Sequence, residues 1–284
     1  MQKVQCAPRA IARAIAIIPA RVASTRLARK MLLAETGHCL FEHTARAVLE
    51  SGAFARVVVA TDAAEIADAA AAAGLEAVRT RADHRSGTDR VCEAWQQLAA
   101  TGERADVVVN VQGDEPEIDP RDLARVVEVF ADPEVEIATL AAPLLTEEEW
   151  KNPSVVKVVC DARGTALYFS RAPIPGRGHG APPIPARELP ARRHIGVYAF
   201  RTEALLRCAA LPPSRLEQAA SLEQLRCLDA GMKIRVAAAS RAPAGIDTRE
   251  DYDAFVARRR AAEGDRSGRE RGSTRSSTKE ARSA

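Results

Sequence analysis

The sequence predicts an α/β fold, with a mixed, mostly parallel sheet covered by helices on both faces and an antiparallel extension in its second half. Three observations carry this. Short apolar runs alternate with amphipathic helical patterns over the first half of the chain. Those runs are apolar at nearly every position, as expected of strands buried on both faces. After Glu136 the strand-like runs follow one another closely, which is the rhythm of antiparallel or mixed pairing. With 284 residues and 46% hydrophobic content, the chain can bury the core of one large domain or of a domain with a subdomain.

In chain order, "AIAIIPA" (14–20) is a strand and "LFEHTARAVLES" (40–51) an amphipathic helix. "RVVVATD" (56–62) is a second strand, and an alanine-rich helix runs to Gly74, with Asp62 and Glu65 at capping-box spacing and the glycine suited to the stop. A short strand "LEAVRT" leads to a helix around "DRVCEAWQQLAA", then to the strand "DVVVNVQ" (106–112). The helix "DPRDLARVVEVF" carries Pro120 in a first turn, which accepts proline. "EIATLAAPL", "SVVKVVCD", "TALYFSR" and "HIGVYAFR" are the later strands. The Pro/Gly-rich segment 172–190 between the last two is a long irregular loop. One helix, "RLEQAASLEQLRCLDAG", precedes the strand "KIRVAAA", and a final helix starts near Thr248. The division is a 1–13 extension, a domain over 14–263, and a disordered basic tail over 264–284.

Charge and composition exclude several classes of function. From Arg258 onward nine Lys/Arg face four Asp/Glu, a local +5, which leaves −2 for the rest of a chain whose net charge is +3. The folded part is therefore not basic, the tail lacks aromatics for base stacking, and nucleic acid is not expected as a partner. No apolar run reaches the ~18 to 20 residues of a membrane helix, and Arg9 and Arg13 interrupt the N-terminal apolar stretch, so neither membrane nor export is expected and the location is read as cytoplasmic. The six cysteines have no metal or redox spacing and read as reduced thiols. No phosphate loop ending in Gly-Lys-Ser/Thr and no Gly-x-Gly-x-x-Gly occurs.

Ligands of parallel sheets collect beyond the carboxyl ends of the strands. Four polar segments fall there: the loop 19–30, "TRADHRSGTDR" (80–90), "QGDEP" (112–116) and "GID" (245–247). The first carries Arg21, Arg26, Arg29 and Lys30 beside small residues that permit close approach, a combination that suits a polyphosphate. Asp114 and Glu115 end one apolar strand, and Asp247 follows another. Such carboxylates either hold a hard cation such as Mg²⁺ or serve as a turn former (Asp114) and a helix cap (Asp247); spacing alone leaves both readings open.

The ordered motifs "IIPARVASTRL", "TRADHRSGTDR", "VNVQGDEP", "ALYFSRAPIP", "HIGVYAF", "LEQLRCLDAG" and "GIDTREDYDAF" resemble those of the 3-deoxy-manno-octulosonate cytidylyltransferase family over roughly residues 14–260. The resemblance implies a glycosyltransferase-A-like fold and transfer of CMP from CTP to the anomeric hydroxyl of 3-deoxy-manno-octulosonate (Kdo), with release of pyrophosphate, in Gram-negative lipopolysaccharide synthesis. It implies Mg²⁺ on Asp114 and Asp247, catalytic roles for Arg21, Lys30, Asp114 and Asp247, and nucleotide contacts from Pro19, Ala20, Arg21, Arg26, Lys30, Arg81, Ser86, Gly87 and Gln112. It implies sugar contacts from Gln112, Arg171, His194, Gly196, Tyr198, Glu223 and Gln224, with Arg171 and His194 meeting the sugar carboxylate. A homodimer is also implied, and its contact region is read as the second half, whose apolar strands exceed what one short layer would cover.

One stretch departs from the pattern. "STRLARKML" has Ala28, Arg29 and Met31 where the family has Pro, Gly and Pro, and arginine resists backbone conformations that glycine adopts freely. Two alternatives follow: a cytidylyltransferase for another 2-keto acid sugar such as a sialic acid, or a non-catalytic nucleotide-binding homologue with a degenerate first loop.

Overall fold

The computed structural model describes residues 13–23, 26–176, 179 and 184–262. The 264–284 tail, nearly all of the 1–13 extension and part of the 172–190 loop lie outside the described residues. Among the described residues no helix is long and apolar enough to cross a membrane.

A nine-stranded sheet organises the chain. β1 (Ala14–Pro19), β2 (Arg56–Thr61), β3 (Glu76–Arg79) and β4 (Val107–Asn110) run parallel in the order β3-β2-β1-β4. The path continues through β8 (Ala191–Arg201) and β5 (Ile137–Pro143) to β9 (Ile234–Ala238). β8 runs antiparallel to both β4 and β5, whereas β9 is parallel to β5, so β5 and β9 point the same way as the N-terminal strands. The extension is therefore mixed: β8 is the reversed member of the main path, and β6 (Lys157–Cys160) joins it to the outer strand β7 (Ala166–Ser170) by antiparallel pairing. The β5/β8 register shifts between Thr139 and Leu140, with Thr139 opposite Tyr198 and Leu140 opposite Ile195. That leaves Gly196 and Val197 as the extra residues of a bulge at the edge of a cavity described below.

β1 shows why both faces are covered. Its six residues are all buried and alternate between two cores. Ala14, Ala16 and Ile18 pack with residues of α1 (Leu40–Glu50) and α4 (Pro120–Glu128), while Ile15 and Ile17 pack with α3 (Gly87–Ala100) and α6 (Thr202–Ala210). Each fully buried aliphatic side chain contributes about 1.5–3 kcal/mol relative to exposure. Pro120 occupies the first turn of α4, and Asp119 caps that helix by accepting from the Arg121 amide.

Several local expectations are corrected. α2 (Ala64–Ala72) is capped by Ala63 without a side-chain bond, and the Asp62 carboxylate instead lies 3.3 Å from Arg90. The single helix expected over 215–231 is two, α7 (Arg215–Ala220) and α8 (Gln224–Asp229), broken at Ser221 in the left-handed region. Cys208 on α6 and Cys227 on α8 are paired as a disulfide with Cα atoms 6.0 Å apart, contrary to the reading of six reduced thiols. Cys39, Cys92 and Cys160 are free. α5 (Glu147–Lys151) precedes β6, and a closing helix, α9, spans 249–262.

Candidate active site

The loop that follows β1 is anchored at its start by the Ala20 amide, which donates to the Ala60 carbonyl at the end of β2. It then crosses the carboxyl ends of the parallel strands and brings Lys30 inward, 7% exposed. The Lys30 ammonium donates to Asp114 Oδ2 at 2.6 Å and to the Ile246 carbonyl at 2.7 Å, and reaches Asp247 Oδ1 at 3.4 Å. Arg26 donates to the same Asp247 oxygen at 2.9 Å. The two carboxylates converge because the Ile246 amide donates to the Asp114 carbonyl, which stitches the 245–247 segment to the turn after β4.

The alternatives left open for Asp247 are resolved by the start of α9. Thr248 is its cap: the Thr248 hydroxyl accepts from the Asp251 amide, and Asp251 accepts in return from the amides of Asp247 and Thr248. The Asp247 side chain is thus free of capping duty and faces the cleft. Among the described residues no group of three or more His, Cys, Asp or Glu is placed to hold a metal. Two convergent hard oxygen donors nonetheless fit a magnesium ion that completes its shell with substrate phosphates and water.

Pro19, Ala20, Arg21, Arg26, Lys30, Ser86, Gly87, Gln112, Asp114 and Asp247 all line one cleft, together with Arg85 and Arg90. Two glycines let its walls approach. A Cβ on Gly87 would stand 3.2 Å from Gln112 Nε2, and one on Gly113 would stand 3.2 Å from both Met31 Sδ and the Pro19 carbonyl. Ser86 caps α3 by accepting from the Asp89 amide, so the positive end of a 14-residue helix opens on the cleft. Arg81 is not brought here. It sits on a separate surface with Asp83, His84 and Glu93, and its amide donates to Glu93.

A second cavity adjoins the first and shares Gln112 and Asp247 with it. Its walls include His194, Gly196, Tyr198, Glu223 and Gln224, as well as Glu115, Glu149 and Arg193. Three polar atoms here are buried without a hydrogen-bond partner among the described residues: Glu115 Oε2, Tyr198 Oη and Gln224 Nε2. Burial, followed by the charge of Asp114, pushes the Glu115 carboxyl up to about 8. Burial likewise raises the Glu223 carboxyl, although the hydroxyl of Ser86 donates to it at 2.8 Å. His194 is packed between Phe169 and Tyr198, and burial lowers its imidazole to about 3, so it is neutral. Its Nε2 lies 3.0 Å from the Thr139 hydroxyl, which itself bonds the Val197 carbonyl at 2.7 Å.

Arg171 does not line this cavity. Its guanidinium donates to the carbonyls of Pro153, Ala220 and Ser221. With His194 neutral, Arg193 is the cation among the described lining residues; it is ion-paired with Glu149 at 3.0 Å. Sequence reasoning did not single out Arg193, although it directly precedes His194 at the head of the "HIGVYAF" strand; Glu115 is read there beside Asp114 as a strand-end carboxylate but is given no site role.

A family model described as "Cytidylyltransferase" matches residues 15–234. A 3-deoxy-manno-octulosonate cytidylyltransferase of Bradyrhizobium sp. (strain ORS 278) is 49% identical over 243 residues, covering 84% of this chain and 94% of that protein. One of Rhodopseudomonas palustris (strain BisB18) is 47% identical with the same coverage. The solved structure of a CMP:2-keto-3-deoxy-manno-octonic acid synthetase complexed with CTP superposes with a TM-score of 0.77 at 39% identity, covering 86% of this chain and 97% of that one. A nucleotidyl transferase from Methanothermobacter, 17% identical with a TM-score of 0.54, shares the fold. With one site at the strand ends and relatives of this identity over most of their length, the chain belongs to the 3-deoxy-manno-octulosonate cytidylyltransferase family.

Proposed function

We propose that this chain transfers CMP from CTP to the anomeric hydroxyl of Kdo and releases pyrophosphate. The observation that carries the reading is the pair of adjoining cavities that meet at Gln112 and Asp247, one rich in cations and the other holding unpartnered buried hydrogen-bonding atoms. The first matches a triphosphate and the second a polyhydroxylated acid.

In the reaction the sugar oxygen forms a bond to the α-phosphorus as the bond to pyrophosphate breaks, which requires positioning and charge neutralisation and no covalent nucleophile. Arg21, Arg26, Lys30 and the start of α3 supply positive potential for the phosphates. Asp114 and Asp247 would hold Mg²⁺, which when bound neutralises phosphate charge and acidifies the attacking hydroxyl. Lys30 bonds both carboxylates in the free protein, so phosphates entering the cleft re-partner this ammonium. In the second cavity Tyr198, Gln224 and Gln112 offer neutral bonds to sugar hydroxyls, and Arg193 offers charge to the sugar carboxylate. The protein acts as a homodimer through its second half, where Leu167, Tyr168, Leu206 and Leu216 remain exposed.

Pyrophosphate release with CTP, Mg²⁺ and Kdo, run beside Asp114→Ala and with a sialic acid control, tests the reading. Release with Kdo is expected, falling roughly 10³-fold in the variant. Turnover with the sialic acid instead changes the sugar assignment. CTP binding without turnover of any keto sugar overturns the reading in favour of a nucleotide-binding protein.

A further inference from the structure

Lys157, on β6, is fully buried and has no carboxylate partner among the described residues. Burial lowers its ammonium from the ordinary lysine value, with the charge of Arg171 a smaller cause in the same direction. A buried charge of this kind is costly unless its donors are satisfied, and an aliphatic residue would fill the same volume without that cost. All three donors are used. They go to the carbonyls of Asn152 at 2.9 Å, Val155 at 2.7 Å and Arg171.

The identity of those acceptors gives the lysine a role. Asn152, Ser154, Val155 and Val156 line one side of the second cavity. That wall is joined to β8 by the His194 amide, which donates to the Val156 carbonyl at 2.8 Å. Arg171 directly follows the outer strand β7, and its own guanidinium reaches Ala220 and Ser221, just before Leu222, Glu223 and Gln224 of the same cavity. A single ammonium thus ties the turn at 152–155 to the segment that braces the 220–224 wall.

We propose that Lys157 is a positioning residue that sets the sugar wall of the second cavity by binding the carbonyls of Asn152, Val155 and Arg171. This rests on the reading that the second cavity takes the sugar. It makes no contact with the nucleotide cleft, so its effect is confined to one substrate.

The test is Lys157→Met, which keeps chain length and removes the donors. Its KM for Kdo rises roughly tenfold or more while the KM for CTP stays within about twofold, because a wall displaced by about an ångström costs binding and alignment of that substrate alone. Hydrogen exchange on the free protein is read in parallel: peptides over 152–156 and 171–176 exchange faster in the variant, and those over 14–23 and 26–32 are unchanged. If the wild type turns over no Kdo, the proposed function fails and the exchange comparison still decides the clamp. Lys157→Arg, which keeps charge and donors, is the second variant should the first not fold. Parallel changes in both KM values, an unchanged KM for Kdo, unchanged exchange at the wall, or failure of both variants to fold would overturn the proposal and leave Lys157 a structural residue only.

Discussion

The two adjoining cavities solve opposite electrostatic problems. In the cleft at the ends of the parallel strands, charge is abundant and the carboxylates are already matched: Lys30 bonds Asp114 and Asp247, Arg26 bonds Asp247, and Arg90 faces Asp62. In the cavity along β8, hydrogen-bonding capacity is in excess and unmatched: the Tyr198 hydroxyl and the Gln224 amide are buried with nothing to bond. The first region therefore binds by exchanging partners, and the second by acquiring them. Removing a group from the first leaves an uncompensated charge, whereas removing one from the second relieves a cost that the empty protein carries.

The largest effect tests the first half of that contrast. Lys30→Met removes the ammonium common to both carboxylates and a cation of the phosphate site. The turnover rate with CTP and Kdo should fall about 10²–10³-fold, in the range measured for loss of one preorganised charge-stabilising group. A fall of less than tenfold would mean that Lys30 only neutralises the acids at rest. Tyr198→Phe tests the second half, with a smaller effect that differs in kind. Without substrate the variant should be as stable as the parent or more so by about 1 kcal/mol in urea unfolding, since an unbonded buried hydroxyl is removed. Its KM for Kdo should rise roughly tenfold, the loss of about one hydrogen bond. A clear loss of stability in the empty protein would show that the hydroxyl has a partner there and would dissolve the contrast.

The same contrast explains what could be read from the sequence. The cleft is legible because apolar strands that run parallel deliver their following loops to one end, so the sequence alone groups Arg21, Lys30, Asp114 and Asp247. The cavity was less legible because its walls come from a reversed strand with a bulge and from helices joined by non-local contacts. Arg171 carries the right chemistry but turns to main-chain carbonyls, and Arg193 takes the cavity position. Arg81 fails for a related reason: the loop that delivers Ser86 and Gly87 to the cleft leaves it on another face with Glu93. The Cys208–Cys227 pair joins α6 to α8, so no local spacing rule could have revealed it. Asp247 against Thr248 as the cap of α9 was undecidable from composition, since both residue types cap helices well, and the reciprocal bonds with Asp251 settle it.

The smallest effect concerns the turn that precedes Lys30. Arg29 sits at φ 53°, ψ 29°, a left-handed conformation that costs a non-glycine residue roughly 1–2 kcal/mol. Its guanidinium pairs with Glu65 at 2.5 Å, and it is not among the residues lining the cleft. Arg29→Gly would remove the backbone cost, but glycine widens the unfolded ensemble by about 0.5–1 kcal/mol, and the exposed ion pair contributes at most about 1 kcal/mol. These nearly cancel, so stability should change by less than about 1 kcal/mol. Because Lys30 is held by three acceptors supplied by the 114 and 246–247 segments, its placement does not depend on which residue adopts the turn before it. The KM for CTP should accordingly move by less than about threefold, well under the tenfold that 1.4 kcal/mol would bring. A tenfold fall in that KM would mean instead that the arginine holds the loop back from the triphosphate, placing a specificity cost in the cleft that its matched charges do not reveal.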